Sequence, residues 1–155
     1  MPEIRHDLID IVQYQPGELI FRENDSGSFF LIIQKGEVEV FRLSGDQQKI
    51  PLAIIGPGQS LGEFAAIDQK PRSASAQALT FVEATKISEP AYQQLLTELP
   101  EWASCVLSSL VERIRRTNDI IRSHAIVDSS LNLEIETIKS RKSTTSKTSN
   151  KEEEN

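Results

Sequence analysis

The chain has 155 residues, enough for one compact domain with an appendage and too few for two ordinary domains. Hydrophobic residues make up 38% and charged residues 26%, as in a water-soluble globular protein. A formal net charge of -6 sets the molecule as a whole against nucleic acid and anionic membrane, and a single cysteine, Cys105, rules out an intrachain disulfide framework. No basic segment leading into an apolar core opens the chain, and its most hydrophobic stretch, Phe29 to Ile33, is far below membrane-spanning length. A cytoplasmic protein is expected, with Cys105 packed among Ala103, Val106 and Leu107.

All seven glycines lie before Glu63, and no proline follows Pro100. Turn-forming residues are thus confined to the first part, which should be strands and turns, while the last part should be uninterrupted helix. Strands are expected over 18–22, 28–34, 37–43, 52–55 and 76–87, the last with a break inside it. "VEVFRL" alternates apolar and polar residues, as a half-buried strand does. Lys35-Gly36 between apolar runs predicts a tight hairpin. Many short strands at regular turn spacing make the fold mainly β with C-terminal α: an antiparallel jelly-roll (double-stranded β-helix) barrel over 1–99, with flanking helices.

From Ser88 the period changes. Ser88 as a cap with Pro90 in the first turn predicts a short helix. Pro100 opens a long one, in which Ala103, Leu107, Leu110, Ile114, Thr117, Ile121 and His124 follow a 4-3 heptad seam. In the same phase the seam meets Asp128, Leu131, Ile135 and Ile138, giving a helix over 100–138 that would span about 50 to 60 Å. Such a stripe outruns a small barrel, so a parallel homodimer through this helix is the expected solution, although Asp128 marks a possible break. One amphipathic helix packed wholly on its own barrel is the alternative. Residues 139–155 contain no apolar residue and should form a disordered polar tail.

The segment "LGEFAAIDQKPRSASA", residues 61–76, combines an acid, an arginine and little bulk. Gly62 allows close approach of a ligand to backbone. The turn from Glu63 through Phe64 and Ala65 to Ile67 presents free N–H groups to an anion. Arg72 supplies a planar fork for two oxygens of one phosphate. Ser73 adds a hydroxyl, and Ala74 and Ala76 stay small. Glu63 would repel a bare phosphate, so the ligand must also bring a hydroxyl donor, as a ribose does. A single arginine suits a phosphate of low charge.

These residues resemble the phosphate-binding cassette of the cyclic nucleotide-binding domain family: Gly-Glu, small apolar residues, then Pro-Arg-small-Ala. "PGELIFRENDSGSFFLIIQKGEVEVF" and "IGPGQSLGE" are similar to the same family, and the resemblance covers residues 14–123. It implies that Glu63 and the Gly62 backbone take the ribose 2′-hydroxyl. Arg72, Ser73 and the Ala74 N–H hold the cyclic phosphate, Phe64 and Ala65 belong to the cassette wall, and Leu52 and Ala53 lie along the base. The spacing is closest to the bacterial catabolite activator branch, with no gap from Arg72 to Thr117. That places Thr117 at the purine six-position, Asn118 where an opposite subunit reaches the base, and Arg113 near Glu63 or the ribose. Dull readings stand beside these. Glu63 and Arg72 would form a loop salt bridge, Ser73 would be a turn residue, and Thr117 and Asn118 would set dimer register. Trp102 and Tyr92 read as packing, and His6 and His124 lack the neighbours of a metal site.

The resemblance implies a stand-alone, non-enzymatic sensor of cyclic AMP, or of cyclic GMP, without cofactor or metal. It would signal through its dimer helix to an effector protein. Ser73 rather than threonine after the arginine leans toward adenine. With no recognition-helix pattern in the C-terminal residues, DNA binding is not expected, nor is membrane binding. The rivals are a structural dimerisation module that holds no ligand and a transcription regulator.

Overall fold

The computed structural model describes residues 9–123 and 129–148. His6, the seam positions His124 and Asp128, and the tail beyond Thr148 lie outside them. In chain order the elements are β1 (Ile9–Tyr14), β2 (Leu19–Phe21), β3 (Phe29–Lys35), β4 (Val38–Leu43), β5 (Lys49–Ile55), β6 (Ser60–Leu61), α1 (Glu63–Asp68), β7 (Ser75–Ala78), β8 (Val82–Ser88), α2 (Glu89–Thr97), α3 (Glu101–Ser123) and α4 (Ser129–Thr148). The strands make two four-stranded antiparallel sheets, ordered β1-β8-β3-β6 and β2-β7-β4-β5, which is jelly-roll order.

Alternation along the strands turns Leu31, Ile33, Val38, Val82 and Ala84 into the space between the sheets, where all are fully buried. Ala76 and Ala78 on β7 keep that layer thin, and Phe21 and Leu61 close it toward α1. The expected strands are all present. β1 and the two-residue β6 were not anticipated.

The hairpin expected at Lys35-Gly36 does not form. β3 pairs with β6 and β8, and β4 pairs with β5 and β7, so the chain crosses from one sheet to the other at this point. The turn signal is real, but the partner is non-local: the Glu37 N–H donates to Thr80 Oγ1 at 3.0 Å, and the Glu37 carbonyl accepts the Leu79 N–H at 2.8 Å.

Ser88 and Pro90 open α2 as expected, although the Ser88 hydroxyl makes no capping bond. Ala91 and Tyr92 on α2 pack with Ala66 of α1 and Ile87 of β8, and the Tyr92 hydroxyl donates to the Gly27 carbonyl at 2.9 Å. Tyr92 is therefore packing, as the sequence suggests, and it braces α1 from behind.

Of the helix expected over 100–138, the described parts are α3 and α4, and residues 124–128 between them lie outside the described residues. Leu131, Ile135 and Ile138, read as a continued seam, instead pack α4 against Ile54 of β5 and Leu79 on the outside of the roll. Once nucleated there, α4 continues past Ile138 through Thr148, into the segment expected to lack structure. Extending a formed helix costs little per residue even without apolar contacts. Cys105 is exposed rather than packed, and Trp102 is 71% exposed, because α3 packs on α1 with another face, which carries buried Val111. Among the described residues no helix is long and apolar enough to cross a membrane.

Candidate functional site

The segment 62–72 forms a compact loop around α1. Gly62 enters it at φ 85, and Gln69 leaves α1 in the same left-handed region. The return strand is pinned by the turn after β2. The Asn24 N–H donates to the Arg72 carbonyl at 2.9 Å, and the Arg72 N–H donates to the Asp25 carbonyl at 2.9 Å. The Glu23 N–H donates to Ser75 Oγ at 2.9 Å.

Arg72 is only 3% exposed. Its Nη1 donates to the Gly62 carbonyl at 2.7 Å and its Nη2 to the Phe29 carbonyl at 2.5 Å. The guanidinium lies over the Phe21 ring at 4.2 Å and the Phe29 ring at 4.8 Å, and its buried Nε has no partner. Burial pulls its pKa below the ordinary guanidinium value, against the opposing pull of Tyr92, Asp25 and Glu63. Arg42 of β4 makes the contrast. Burial lowers its pKa too, but hydrogen bonds to the carboxylates of Glu23 and Asp119 outweigh it and raise the net value. Arg42 has its anions, whereas Arg72 forms no ion pair among the described residues. In particular, Glu63 and Arg72 are not joined by a salt bridge.

Beside Arg72 opens a cavity of about 260 Å³. That is slightly under the ~300 Å³ at which small-molecule sites usually begin, so the cavity has room only for a small ligand. Of the residues read from the sequence, Gly62, Glu63, Phe64, Ala65, Arg72, Ser73 and Ala74 line it from the cassette, Leu52 and Ala53 from β5, and Asn118 from α3. Arg113 and Thr117 do not line it. Both are exposed, and the Thr117 hydroxyl donates to the Arg113 carbonyl at 3.0 Å. Ile114, four positions before Asn118 on the same helix face, lines the cavity and was not anticipated, and neither were Phe21, Val40 and Ile55. The alternation of "VEVFRL" could have pointed to Val40, since its inward face is the cavity wall.

α3 is held over this cavity by two ionic ties. Arg115 grips Asp68 at the end of α1, and Arg42 reaches Asp119. Three apolar side chains of α3 are about half exposed: Val106 51%, Leu110 49% and Ile114, which also lines the cavity, 43%.

A family model described as the cyclic nucleotide-binding domain matches residues 11–98. The chain is 32% identical over 108 residues to the CRP-like cAMP-activated global transcriptional regulator of Mycobacterium tuberculosis, covering 70% of this chain and 48% of that one. It thus spans about half the length of that relative. Among solved structures, the cyclic AMP-bound form of an EAL enzyme superposes with a TM-score of 0.67 at 33% identity, covering 70% of this chain and 29% of that one. The Thermus thermophilus catabolite activator protein superposes at 0.61 with 28% identity, covering 77% of this chain and 56% of that one.

Proposed function

The chain belongs to the cyclic nucleotide-binding domain family, and on that footing we propose that it is a sensor of a cyclic nucleotide, cyclic AMP in preference to cyclic GMP, that signals through paired α3 helices to a partner protein. The observation that carries this reading is the buried Arg72, which lines the cavity and, among the described residues, forms no ion pair, although Asp25 and Glu63 act on it from a distance. A buried cation without a counter-ion is costly, and the singly charged cyclic phosphate would relieve it. Ser73 and the Ala74 N–H complete the cradle. Glu63, unpaired with Arg72, accepts from the ribose 2′-hydroxyl. The apolar wall of Leu52, Ala53 and Val40 takes one face of the base, and Ile114 closes over it.

Asn118 then reads the base from within its own chain, since an amide pairs its donor and acceptor with an adenine edge. Thr117 and Arg113, exposed on the outer face of α3, fall to the cavity of a second copy. This exchanges the roles that the family resemblance alone would assign. Calorimetry with both nucleotides tests the reading: cyclic AMP should bind more tightly than cyclic GMP, and absence of heat with either at high protein concentration would sink it. Asn118→Ala should lower cyclic AMP affinity by about tenfold or more and narrow the preference, because a good bidentate base contact is worth about 1–3 kcal/mol.

The dimer rests on the exposed apolar row Val106, Leu110 and Ile114 of α3, two of whose members, Leu110 and Ile114, are heptad-seam positions. Leu110→Glu should give a folded monomer by sedimentation where the native chain sediments as a dimer; a native chain that stays monomeric at high concentration ends this part of the reading. Turnover of the ligand is not proposed. The cyclic AMP-activated relative is named a regulator, and the match to the EAL enzyme covers 29% of it.

A further inference from the structure

We propose that Arg115 is the coupling residue between the cassette and α3: a positioning residue that touches no ligand but converts a shift of the cassette into a shift of the helix. This rests on the cyclic-nucleotide reading of the site. Arg115 donates from Nε to Asp68 Oδ2 at 2.5 Å, from Nη2 to Asp68 Oδ1 at 2.9 Å and from Nη1 to the Pro71 carbonyl at 3.0 Å. The two side chains are 15% and 10% exposed, so the pair is both bidentate and largely shielded from water. The pair Arg116–Glu112, one residue along, has side chains 72% and 62% exposed and fixes little.

What Arg115 holds explains its importance. Asp68 ends α1, and Pro71 directly precedes Arg72, the phosphate arginine. One guanidinium thus clamps both ends of the link between the cassette helix and the residue that must respond to the ligand's charge. Asp68 Oδ1 also accepts the Lys70 N–H at 3.1 Å, which stiffens that link. On its own helix Arg115 adjoins Ile114 and lies three residues before Asn118, the two α3 side chains on the cavity. A cassette drawn in by a bound phosphate therefore pulls the helix segment that covers the base. The second tie, through Arg42, ends on Asp119, whose side chain is 67% exposed, so it is the weaker of the two. Neither Arg115 nor Asp68 lines the cavity, so their removal should spare the ligand contacts themselves.

The test uses the full chain and Trp102, its only tryptophan, which stands exposed on α3 and reports that helix by fluorescence. In the native protein cyclic AMP should bind by calorimetry and change Trp102 emission. Arg115→Ala and Asp68→Asn should keep the dissociation constant within about fivefold, the lower end of ordinary coupling effects, while losing most of the ligand-induced emission change. Arg115→Lys, which retains charge but not the fork, should recover only part of it. If Arg115→Ala does not fold, Asp68→Asn, which preserves side-chain shape, carries the test. A full Trp102 response in folded variants, with only a lowered melting temperature, makes the pair merely structural and overturns the proposal. Native binding with a silent Trp102 overturns it as well. Absence of any native binding removes the ligand reading beneath it, a distinct result seen before any variant is made.

Discussion

Arg72→Leu is expected to abolish cyclic AMP binding while leaving the jelly roll folded. The side chain sits between two phenylalanine rings, so leucine fits its apolar surroundings. Two opposed effects act on the free protein. The Gly62 and Phe29 carbonyls lose their donors, at about 1–3 kcal/mol for each group left unsatisfied, while a buried cation held only by carbonyls and not by an ion pair is removed. These offset, and the melting temperature without ligand should move by only a few degrees. Binding has no such offset. The cyclic phosphate would be buried without its counter-charge, and removing one partner of a buried ion pair costs about 3–5 kcal/mol, or a hundredfold and more in affinity at ~1.4 kcal/mol per decade. Thermal shift separates the two effects. At a hundred times its native dissociation constant, ligand should stabilise the native protein by about 2.7 kcal/mol and the variant by no more than about 0.4 kcal/mol. A variant stabilised by cyclic AMP beyond that would place the phosphate elsewhere.

The cassette could be read from the sequence because its chemistry is local: glycine, acid and arginine fall within one short loop, and each residue type has a reason to be there. The strands were legible for a similar reason, since period-two alternation and turn residues act over a few positions. What escaped depends on distant partners. Lys35-Gly36 signals a turn in either topology, and only the contacts of Glu37 with Leu79 and Thr80 decide that β3 and β4 enter different sheets. The run "ERIRR" offers three arginines, 113, 115 and 116, and spacing alone favoured the first. Which one meets the cassette is set by the rotation of α3 about its axis, whose inward face carries buried Val111 and packs on α1. The same rotation puts Ile114 and Asn118 on the cavity, turns Thr117 outward and exposes Cys105. Likewise, the heptad phase of Leu131, Ile135 and Ile138 is equally compatible with a partner helix or with the outer face of β5, and the structure shows the latter.

Two glycines separate the demands of the site from those of the fold. Gly62 and Gly36 both have left-handed backbones, at φ +85 and +86, so alanine at either is strained by about 1–2 kcal/mol. They differ in what a Cβ would strike. At Gly62 it would lie 2.4 Å from Arg72 Nη1 and 3.2 Å from Phe21 Cε1. The guanidinium can yield, but only by giving up its bond to the Gly62 carbonyl and its place on the cavity wall. At Gly36 the Cβ would lie 2.1 Å from the Phe81 carbonyl oxygen, which is backbone at the sheet crossing and has nowhere to swing. Gly36→Ala should therefore be the more destabilising in urea, by about 3 kcal/mol, at the upper end for single substitutions, with cyclic AMP affinity unchanged where the protein is folded. Gly62→Ala should unfold more easily by less than that, yet lose about tenfold or more in affinity, since each ~1.4 kcal/mol of disturbed phosphate contact is one decade. Equal loss of binding in both variants would mean that affinity follows overall stability. Normal binding by Gly62→Ala would mean that the close approach of backbone to arginine does not shape the pocket.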